Sequence, residues 1–179
     1  GKDWKTDNII VISNPLWFSS PQKQNKLQNK VVLAIGRHSI EKQFDILIKI
    51  WKKVVVEYPD WTLKIYGETD GEKTIEKLVQ QLNMNNHVKL YAPIKNIDEV
   101  YCNASILLNT SSSEAFGLVI VEAMAFGLPV IAFDSASGPK FLINNEKNGL
   151  LVENNDIQTY ANKIKGLIQN ETLRQTLGE

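Results

Sequence analysis

Short apolar runs rich in β-branched residues alternate along the chain with longer stretches in which apolar residues recur at helical spacing. The runs predict strands at 9–12, 31–36, 61–67, 87–93, 105–111, 128–134 and 149–153. The stretches predict helices at 44–58, 72–84, 97–104, 117–126, 139–143 and 156–170. Because the strands are apolar enough to be covered on both faces, we expect a Rossmann-like, three-layer α/β/α domain with a parallel sheet. Ligands of such sheets bind at the carboxyl ends of the strands, so the loops that follow strands are the candidate sites.

Composition and charge exclude several classes of protein. The 179 residues carry 20 basic and 20 acidic side chains, so no charge excess points to nucleic acid or to a membrane surface. No apolar run reaches the roughly 18 to 20 residues of a transmembrane helix. The single cysteine, Cys102, cannot form an internal disulfide. Since no initiator methionine is present, we expect one domain over 1–179 from a longer protein, with 1–8 as a linker.

The stretch 111–133, SSSEAFGLVIVEAMAFGLPVIAF, places one glutamate before an apolar helix and a second within it. The carboxylate of Glu122, about one turn inside the helix, is favoured by the helix dipole and can accept hydrogen bonds. Adjacent ribose hydroxyls suit it, since two oxygens can receive two O–H donors. Glu114 would face the other end of the same ligand. On charge and spacing alone, an alternative stays open: Glu114 caps the helix, and Glu122 pairs with a lysine or arginine.

Glycines mark the two ends of this helix. Gly117 frees the backbone at the start, so the amides of Phe116, Gly117 and Leu118 can point at an anion or a hydroxyl. Gly127 fits the position just past the helix and Pro129 follows it. The helix is therefore expected to run for about three turns.

The loop at 36–42 is a second candidate site. Arg37 supplies a planar fork and Lys42 a mobile charge, which together suit a diphosphate, and Gly36 permits close backbone approach. Cations beside a helix start are unfavourable, because the positive end of the helix dipole lies there, and this is a mild indication of a bound anion. The alternative is a solvated pair of cations. His38 is expected to be a surface residue rather than a base.

A third turn of this kind lies at 135–143. Gly138 precedes Pro139, which is expected at the first helical position, and Lys140 is expected to be solvated. Motifs of other chemistries are missing from the sequence: a nucleoside-triphosphate loop, a dinucleotide fingerprint, a cysteine or histidine metal spacing and a nucleophile elbow. No metal site is therefore expected.

Five segments, in order and spacing from about residue 9 to 170, resemble the retaining glycosyltransferases of family 4, the group 1 glycosyltransferases. The stretch 111–134 resembles their E-x7-E signature. The other four segments are VISNPL, AIGRHSIEKQFDILIKIW, PDWTLKIYGE and SASGPKFLINNEKNGLLVENND. They resemble, in turn, the family's Ile-x-Asn-Pro segment, its Gly-Arg…Lys-Gly-Phe-Asp loop, its Leu-x-Ile-x-Gly strand and its closing Gly-Pro…Asn-Gly-x-Leu-Val.

The resemblance implies a GT-B enzyme with two Rossmann-like domains, of which this chain is the C-terminal, donor-binding one. It implies retaining, metal-independent transfer of a sugar from a UDP- or GDP-linked donor to a glycan or lipid-linked acceptor, without a cofactor. The N-terminal acceptor domain, which in the family supplies a catalytically important His or Asp, is absent, so this chain is expected to bind donor without turnover. A composition rich in Asn and Lys suggests a bacterium. Such enzymes build surface polysaccharide or glycolipid in the cytoplasm, at the inner face of the membrane.

The resemblance also assigns roles to residues. Arg37 and Lys42 would hold the donor diphosphate and Glu122 the ribose hydroxyls. Glu114 would contact the donor sugar and its phosphate, together with the amides at 116–118. The catalytic candidates are Glu114, Arg37 and Lys42, and the other donor-binding candidates are Gly36, Ile94, Phe116, Gly117, Leu118 and Glu122.

Two departures from the family pattern stand out. Gln43 replaces the usual small residue after the loop lysine, and YAP at 91–93 stands where x-Gly-x is common, beside the backbone of Ile94 that would meet the base. The first departure is expected to alter the turn slightly, and the second leaves the identity of the nucleobase undetermined. Two alternatives remain: a non-catalytic module that binds a nucleotide or sugar phosphate, and an epimerase or phosphorylase of the same fold.

Overall fold

The computed structural model describes residues 25, 27–134 and 137–179, which form one sheet flanked by helices. The strands are β1 (Val31–Ile35), β2 (Thr62–Tyr66), β3 (Val88–Tyr91), β4 (Ile106–Asn109), β5 (Val130–Phe133) and β6 (Leu150–Val152). The helices are α1 (Phe44–Val55), α2 (Thr74–Gln81), α3 (Asp98–Cys102), α4 (Leu118–Ala125), α5 (Ser137–Leu142), α6 (Ile157–Gln169) and α7 (Glu171–Gly178). A 3₁₀ turn, Ile40–Lys42, precedes α1. The strand predicted at 9–12 lies outside the described residues.

The sheet is parallel throughout and has the order β3-β2-β1-β4-β5-β6, which confirms the predicted sheet. Val32 of β1 lies between Leu63 of β2 and Ile106 of β4. The strand order reverses between β1 and β4, so the loops that follow these two strands flank the switch point where α/β sheets bind ligands.

Helices cover both faces of the sheet, as the apolar strands predicted. One face carries α1, α2 and α6 on a core that includes the fully buried Trp51 and Tyr160. The other face carries α3 and α4, with Tyr101 and Ile120 in its core. Trp51 also donates its Nε1–H to the carbonyl of His87, at 2.9 Å, which ties α1 to the chain just before β3. The three-layer α/β/α prediction is confirmed.

The described helices are mostly shorter than predicted, and two differ at the residues that were expected to begin or end them. Helix α4 has eight residues, about two turns rather than three, because Gly117 and Phe126 are its caps and lack helical dihedral angles. Helix α5 begins at Ser137, so Pro139 is its third residue and not its first. A proline is still tolerated there, since the amides of the first turn have no intrahelical partner.

Helix α7 was not predicted. It follows α6 after Asn170 alone, whose side chain accepts a hydrogen bond from the amide of Leu173 and starts the new helix. Its Arg174 is 5% exposed and donates to the carbonyls of Leu27, Leu167 and Ile168. The guanidinium thus satisfies the last carbonyls of α6 and joins them to the segment before β1. No helix in the described ranges is long and apolar enough to cross a membrane.

Candidate functional site

The loops that follow β1 and β4 are joined by side-chain and main-chain contacts. Lys42 Nζ donates to Glu114 Oε2 at 2.6 Å. Thr110 Oγ1 donates to the carbonyl of Lys42 at 2.9 Å, and the amide of Ser112 donates to the carbonyl of Glu41 at 2.8 Å. These three contacts fix the two loops against each other at the switch point of the sheet.

The ion pair of Lys42 and Glu114 is partly withdrawn from water. The exposed fractions of the two side chains are 23% and 18%. The aliphatic part of Lys42 runs across Gly36, where an added Cβ would lie 3.1 Å from Lys42 Cδ and Cε. Because water screens the pair less than it screens a surface pair, the attraction between the charges is correspondingly stronger.

The loop after β5 contacts the loop that follows β4. The amide of Gly138, at the start of α5, donates to the carbonyl of Glu114 at 3.1 Å. A Cβ at Gly138 would lie 2.6 Å from the carbonyl oxygen of Phe116, so only glycine fits this approach of two backbones. Lys140 of the same helix is 58% exposed, which confirms the expectation that it is solvated.

The start of α4 is open. Gly117 is its N-cap with a φ of 89°, and no side chain among the described residues makes a cap bond to this helix start. The idea that Glu114 caps the helix is therefore wrong, because its carboxylate is turned to Lys42 instead. Leu118, the first helical residue, is 41% exposed. A Cβ at Gly117 would lie 3.5 Å from Glu114 Cγ, so the start of α4 lies beside the side chain that pairs with Lys42.

Glu122 lies in the second turn of α4 and is 9% exposed. Its Oε2 accepts a hydrogen bond from the hydroxyl of Tyr101 on α3, at 2.6 Å. The alternative that a lysine or arginine meets this carboxylate is therefore not supported by this contact, whose donor is neutral. Burial, and then the hydrogen bond to Glu122, raise the pKa of Tyr101 far above its usual range. Tyr101 therefore stays protonated and remains the donor.

Arg37 lines a cavity of about 370 Å³ in the loop after β1. The guanidinium makes no ion pair with any residue that the structure describes. Three carboxylate residues lie along the same cavity: Glu41, Glu68 and Asp70. The cavity is therefore acidic as a whole, with Arg37 as its cation.

His38 is buried, and the expectation that it lies at the surface is wrong. The residue is 7% exposed, and its ring packs edge-on against Phe44 with centroids 5.5 Å apart. Neither ring nitrogen has a hydrogen-bond partner within the described ranges, and Glu76 Oε2 lies 3.9 Å from Nδ1. Burial lowers the pKa of His38, while the charges of Glu76 and Asp70 act in the opposite direction.

Gln43 occupies the turn at which the sequence departs from the family pattern. Its φ of 50° and ψ of 40° are left-handed, and it closes the 3₁₀ turn and begins α1. Its Oε1 is buried without a partner among the described residues. The left-handed backbone explains why the family pattern usually has a small residue at this position, because this conformation disfavours any residue with a Cβ.

Ile94 lies in a different part of the same edge. It is 45% exposed and lines a cavity of about 310 Å³ with Tyr66, Glu99 and Val100. The lining of that cavity includes neither Lys42 nor Glu114. The structure therefore brings together Gly36, Lys42, Glu114 and the start of α4, while Arg37 and Ile94 line two different cavities.

Sequence reasoning missed Tyr101, Thr110 and Ser112. A carboxylate inside an apolar helix signals that it needs a donor, but nothing in the sequence distinguishes Tyr101 from the other four tyrosines. Hydroxyl residues at the end of a predicted strand, or directly after it, are a weaker signal for Thr110 and Ser112. Their partners are main-chain carbonyls, which leave no mark in a sequence.

Comparison with known proteins gives consistent matches over most of the chain. The sequence profile of the family described as glycosyl transferases group 1 matches residues 17–179. An uncharacterized glycosyltransferase of Haemophilus influenzae is 37% identical over 170 residues, which are 95% of this chain and 48% of that protein. The poly(ribitol-phosphate) alpha-N-acetylglucosaminyltransferase of Staphylococcus aureus is 32% identical over 172 residues, 96% of this chain and 35% of that protein. The chain thus spans about a third to a half of these relatives.

Solved structures show the same likeness. A mutant of S. aureus TarM, crystallised with Fondaparinux, alpha-GlcNAc-glycerol and UDP, matches with a TM-score of 0.85 and 30% identity. The match covers 98% of this chain and 35% of TarM. The C-terminal domain of LpcC, a glycosyl transferase group 1 family protein of Francisella tularensis, matches with a TM-score of 0.76 and 26% identity. That match covers 90% of each chain.

Proposed function

Because the chain belongs to the glycosyl transferases group 1 family and has the fold of a GT-B glycosyltransferase domain, we propose that it binds the nucleotide-sugar donor of a retaining glycosyltransferase of family 4. In this proposal the chain is the C-terminal half of the enzyme. The observation that carries it is the joining of three loops, after β1, β4 and β5, around the pair of Lys42 and Glu114.

The diphosphate lies against Lys42, Arg37 and the start of α4. A lysine ammonium has three N–H donors, so Lys42 can bind a phosphate oxygen while one donor stays on Glu114. Arg37 supplies a second cation from the neighbouring cavity, and the amides at 116–118 add the positive end of the helix dipole. These groups offset the phosphate charge, and the proposal needs no metal ion.

The remaining candidates contact the other parts of the donor. Glu122 accepts hydrogen bonds from the ribose hydroxyls, and Glu114 contacts the sugar that is transferred. Ile94, exposed beside a cavity, contributes its backbone to the base. The carboxylate of Glu114 is held by Lys42 and lies in the loop that also receives Gly138, so its position is fixed before a ligand arrives.

The reaction exchanges one bond at the anomeric carbon for another. The bond from that carbon to the diphosphate oxygen breaks, and an acceptor hydroxyl forms the new glycosidic bond on the same face. The hydroxyl proton passes to the leaving phosphate oxygen, and the leaving group departs as a nucleoside diphosphate. Lys42, Arg37 and the α4 amides stabilise the charge that develops on it.

The donor in this proposal is UDP-linked, since the TarM structure was crystallised with UDP. The acceptor is a hydroxyl of a glycan or lipid-linked glycan in bacterial surface-polymer synthesis, as the name of the poly(ribitol-phosphate) relative suggests. That acceptor binds to the other half of the enzyme, so this chain alone binds donor without turnover. The location is cytoplasmic, at the inner face of the membrane when the acceptor is lipid-linked.

Calorimetric titration of the 179-residue chain with UDP, GDP and ADP in the presence of EDTA tests the proposal. We expect UDP to bind without metal, and Lys42→Met to weaken binding by about 10- to 100-fold through loss of a charge-assisted contact. Lys49→Met is the matched control, because Lys49 forms an exposed pair with Asp45 on α1, at 3.2 Å. Absence of UDP binding, or equal loss in both variants, would refute the donor-site assignment.

A further inference from the structure

The hydroxyl of Tyr101 and the carboxylate of Glu122 form a buried contact between two helices. The donor–acceptor distance is 2.6 Å, Tyr101 is fully buried and Glu122 is 9% exposed. A hydroxyl that donates to a carboxylate at this distance makes a charge-assisted hydrogen bond, stronger than one between neutral groups. The orientation of the carboxylate is therefore tied to α3, although Glu122 itself belongs to α4.

Tyr101 cannot move away from this contact easily. Its ring stacks on Phe126, with centroids 5.0 Å apart and an interplanar angle of 17°. Phe126 lies four residues after Glu122, so the ring and the hydroxyl of one tyrosine meet the same side of one helix. The carbonyl of Tyr101 also accepts a hydrogen bond from Asn25 Nδ2 at 2.7 Å. Ring, hydroxyl and backbone are thus all fixed.

A carboxylate has about four positions at which it can accept hydrogen bonds, on two oxygens. Tyr101 takes one of them on Oε2. A carboxylate that rotates freely would lose conformational entropy on binding a ligand, whereas one held by a neighbour has lost it already. The contact therefore prepares Glu122 to accept hydrogen bonds from two adjacent hydroxyls.

We propose that Tyr101 is a positioning residue that holds the Glu122 carboxylate in the orientation that binds the ribose of the donor. This inference rests on the proposed function, because it takes Glu122 as the ribose-binding residue. Tyr101 itself does not touch the ligand, and its effect passes through Glu122. The competing account is structural: the hydroxyl only satisfies a buried carboxylate and has no effect on ribose recognition.

The two accounts differ in how a change at Tyr101 affects two nucleotides that differ by one hydroxyl. The experiment measures the dissociation constants of UDP and 2′-deoxy-UDP for the 179-residue chain and for Tyr101→Phe, which keeps the ring on Phe126. For the unmodified chain, we expect removal of the ribose hydroxyl to weaken binding by about 10- to 100-fold. For Tyr101→Phe, the ratio of the dissociation constants of 2′-deoxy-UDP and UDP should fall to about 3-fold or less, mainly through weaker binding of UDP.

Two further variants make the result specific. Tyr160→Phe removes another fully buried hydroxyl, which donates to the carbonyl of Ile131 at 2.6 Å, and it should lower the thermal midpoint while keeping the unmodified ratio. Glu122→Ala, which leaves no acceptor at this position, should reduce the ratio of the two dissociation constants to about one, and adding Tyr101→Phe to it should change the ratio no further. Thermal unfolding of each variant confirms that it is folded.

Each result has one meaning. An unchanged UDP to 2′-deoxy-UDP ratio in Tyr101→Phe, or equal weakening of both nucleotides, overturns the positioning role and leaves the donor site standing. If the unmodified chain binds neither nucleotide, or binds both equally, the proposed function of Glu122 fails and the inference about Tyr101 fails with it.

Discussion

The loop at 36–43 has two sides that differ in how their polar groups are satisfied. On the side that faces β4, the Lys42 ammonium and the carbonyls of Glu41 and Lys42 all have partners. On the side that faces α2, both ring nitrogens of His38 and the facing Glu76 Oε2 of α2 are buried without a hydrogen-bond partner among the described residues, and Gln43 Oε1 is a fourth such atom. One short segment thus combines a preorganised polar network with a cluster of unsatisfied groups.

The difference predicts how mutations on the two sides change the free energy of unfolding. A partnered network loses stability when one member is removed, because the other member stays buried and unpaired. An unpartnered polar group lowers stability while it is present, so its removal is neutral or favourable. Mutations on the two sides should therefore change the free energy of unfolding in opposite directions.

The largest effect is expected next to the partnered side, at Gly138, whose amide donates to the carbonyl of Glu114. In Gly138→Ala the new Cβ would lie 2.6 Å from the carbonyl oxygen of Phe116, and a backbone carbonyl cannot turn aside as a side chain can. We expect a loss of about 2 kcal/mol in the free energy of unfolding, as in other overpacked sites. Urea denaturation followed by circular dichroism measures it.

Gly166→Ala is the matched control, since a Cβ at Gly166 in α6 meets nothing within 4 Å. Alanine in a helix interior should raise the free energy of unfolding by about 0.5 to 1 kcal/mol. If both variants change stability alike, close packing of the three loops is not what Gly138 provides.

A smaller effect of opposite sign is expected from Gln43→Gly, at the boundary of the two sides. The change relieves a left-handed backbone and removes a buried amide oxygen that has no partner among the described residues. We expect a gain of about 1 kcal/mol, because the left-handed conformation costs this much in a residue with a Cβ. The same denaturation experiment measures it.

Lys73→Gly separates the two causes. Lys73 has a φ of 53° at the start of α2 but is exposed, so glycine there relieves the backbone alone. A gain in Gln43→Gly no greater than that in Lys73→Gly would mean that the buried amide oxygen contributes nothing.

The smallest effect is the pH dependence that His38 adds to stability. Burial lowers the pKa of His38 from its ordinary value of 6.5, so below that pH the unfolded chain binds a proton that the folded chain resists. The stability that neutral, buried His38 contributes is therefore complete above pH 6.5, and it is lost as the pH falls toward the lowered pKa of the folded chain. His38→Leu should remove it, and at pH 5 the variant should resist urea better, relative to pH 7.5, than the unmodified chain does.

Acid also removes the stability contributed by carboxylates whose pKa is lowered by native hydrogen bonds, such as Asp156 at the start of α6. The difference between variants, rather than the curve of one protein, is thus the quantity to compare. His87→Gln serves as control because it removes the other histidine and keeps His38. The same acid response in His38→Leu and in the unmodified chain would contradict the assignment.

The described strands were predictable because strands buried on both faces are continuous apolar runs. All four residues of β5, Val130–Phe133, are buried, as are all four residues of β4, Ile106–Asn109. Helix α7 was missed because only Asn170 separates it from α6, so no loop sequence marks a boundary between the two helices.

The site was predictable in its members but not in its contacts. Topology rules place Lys42 and Glu114 at one sheet edge, yet the direction of their side chains depends on Thr110 and Ser112 bonding to main-chain carbonyls. The burial of His38 depends on where Phe44 and α2 pack, which the residues around His38 do not reveal. Partners of this kind are fixed by tertiary packing alone.

The reversal of strand order has a consequence for how the chain acquires its structure as it is synthesised. Lys42 and Glu114 are 72 residues apart, and β1 pairs with β4 only after β2 and β3 have been made. Until then the nascent sheet β3-β2-β1 ends at an apolar strand whose hydrogen-bonding edge is uncovered, and such edges pair with other chains. Contacts between residues so far apart in sequence also form slowly. The place where the ligand loops meet is thus also the place where a folding intermediate is most vulnerable to aggregation.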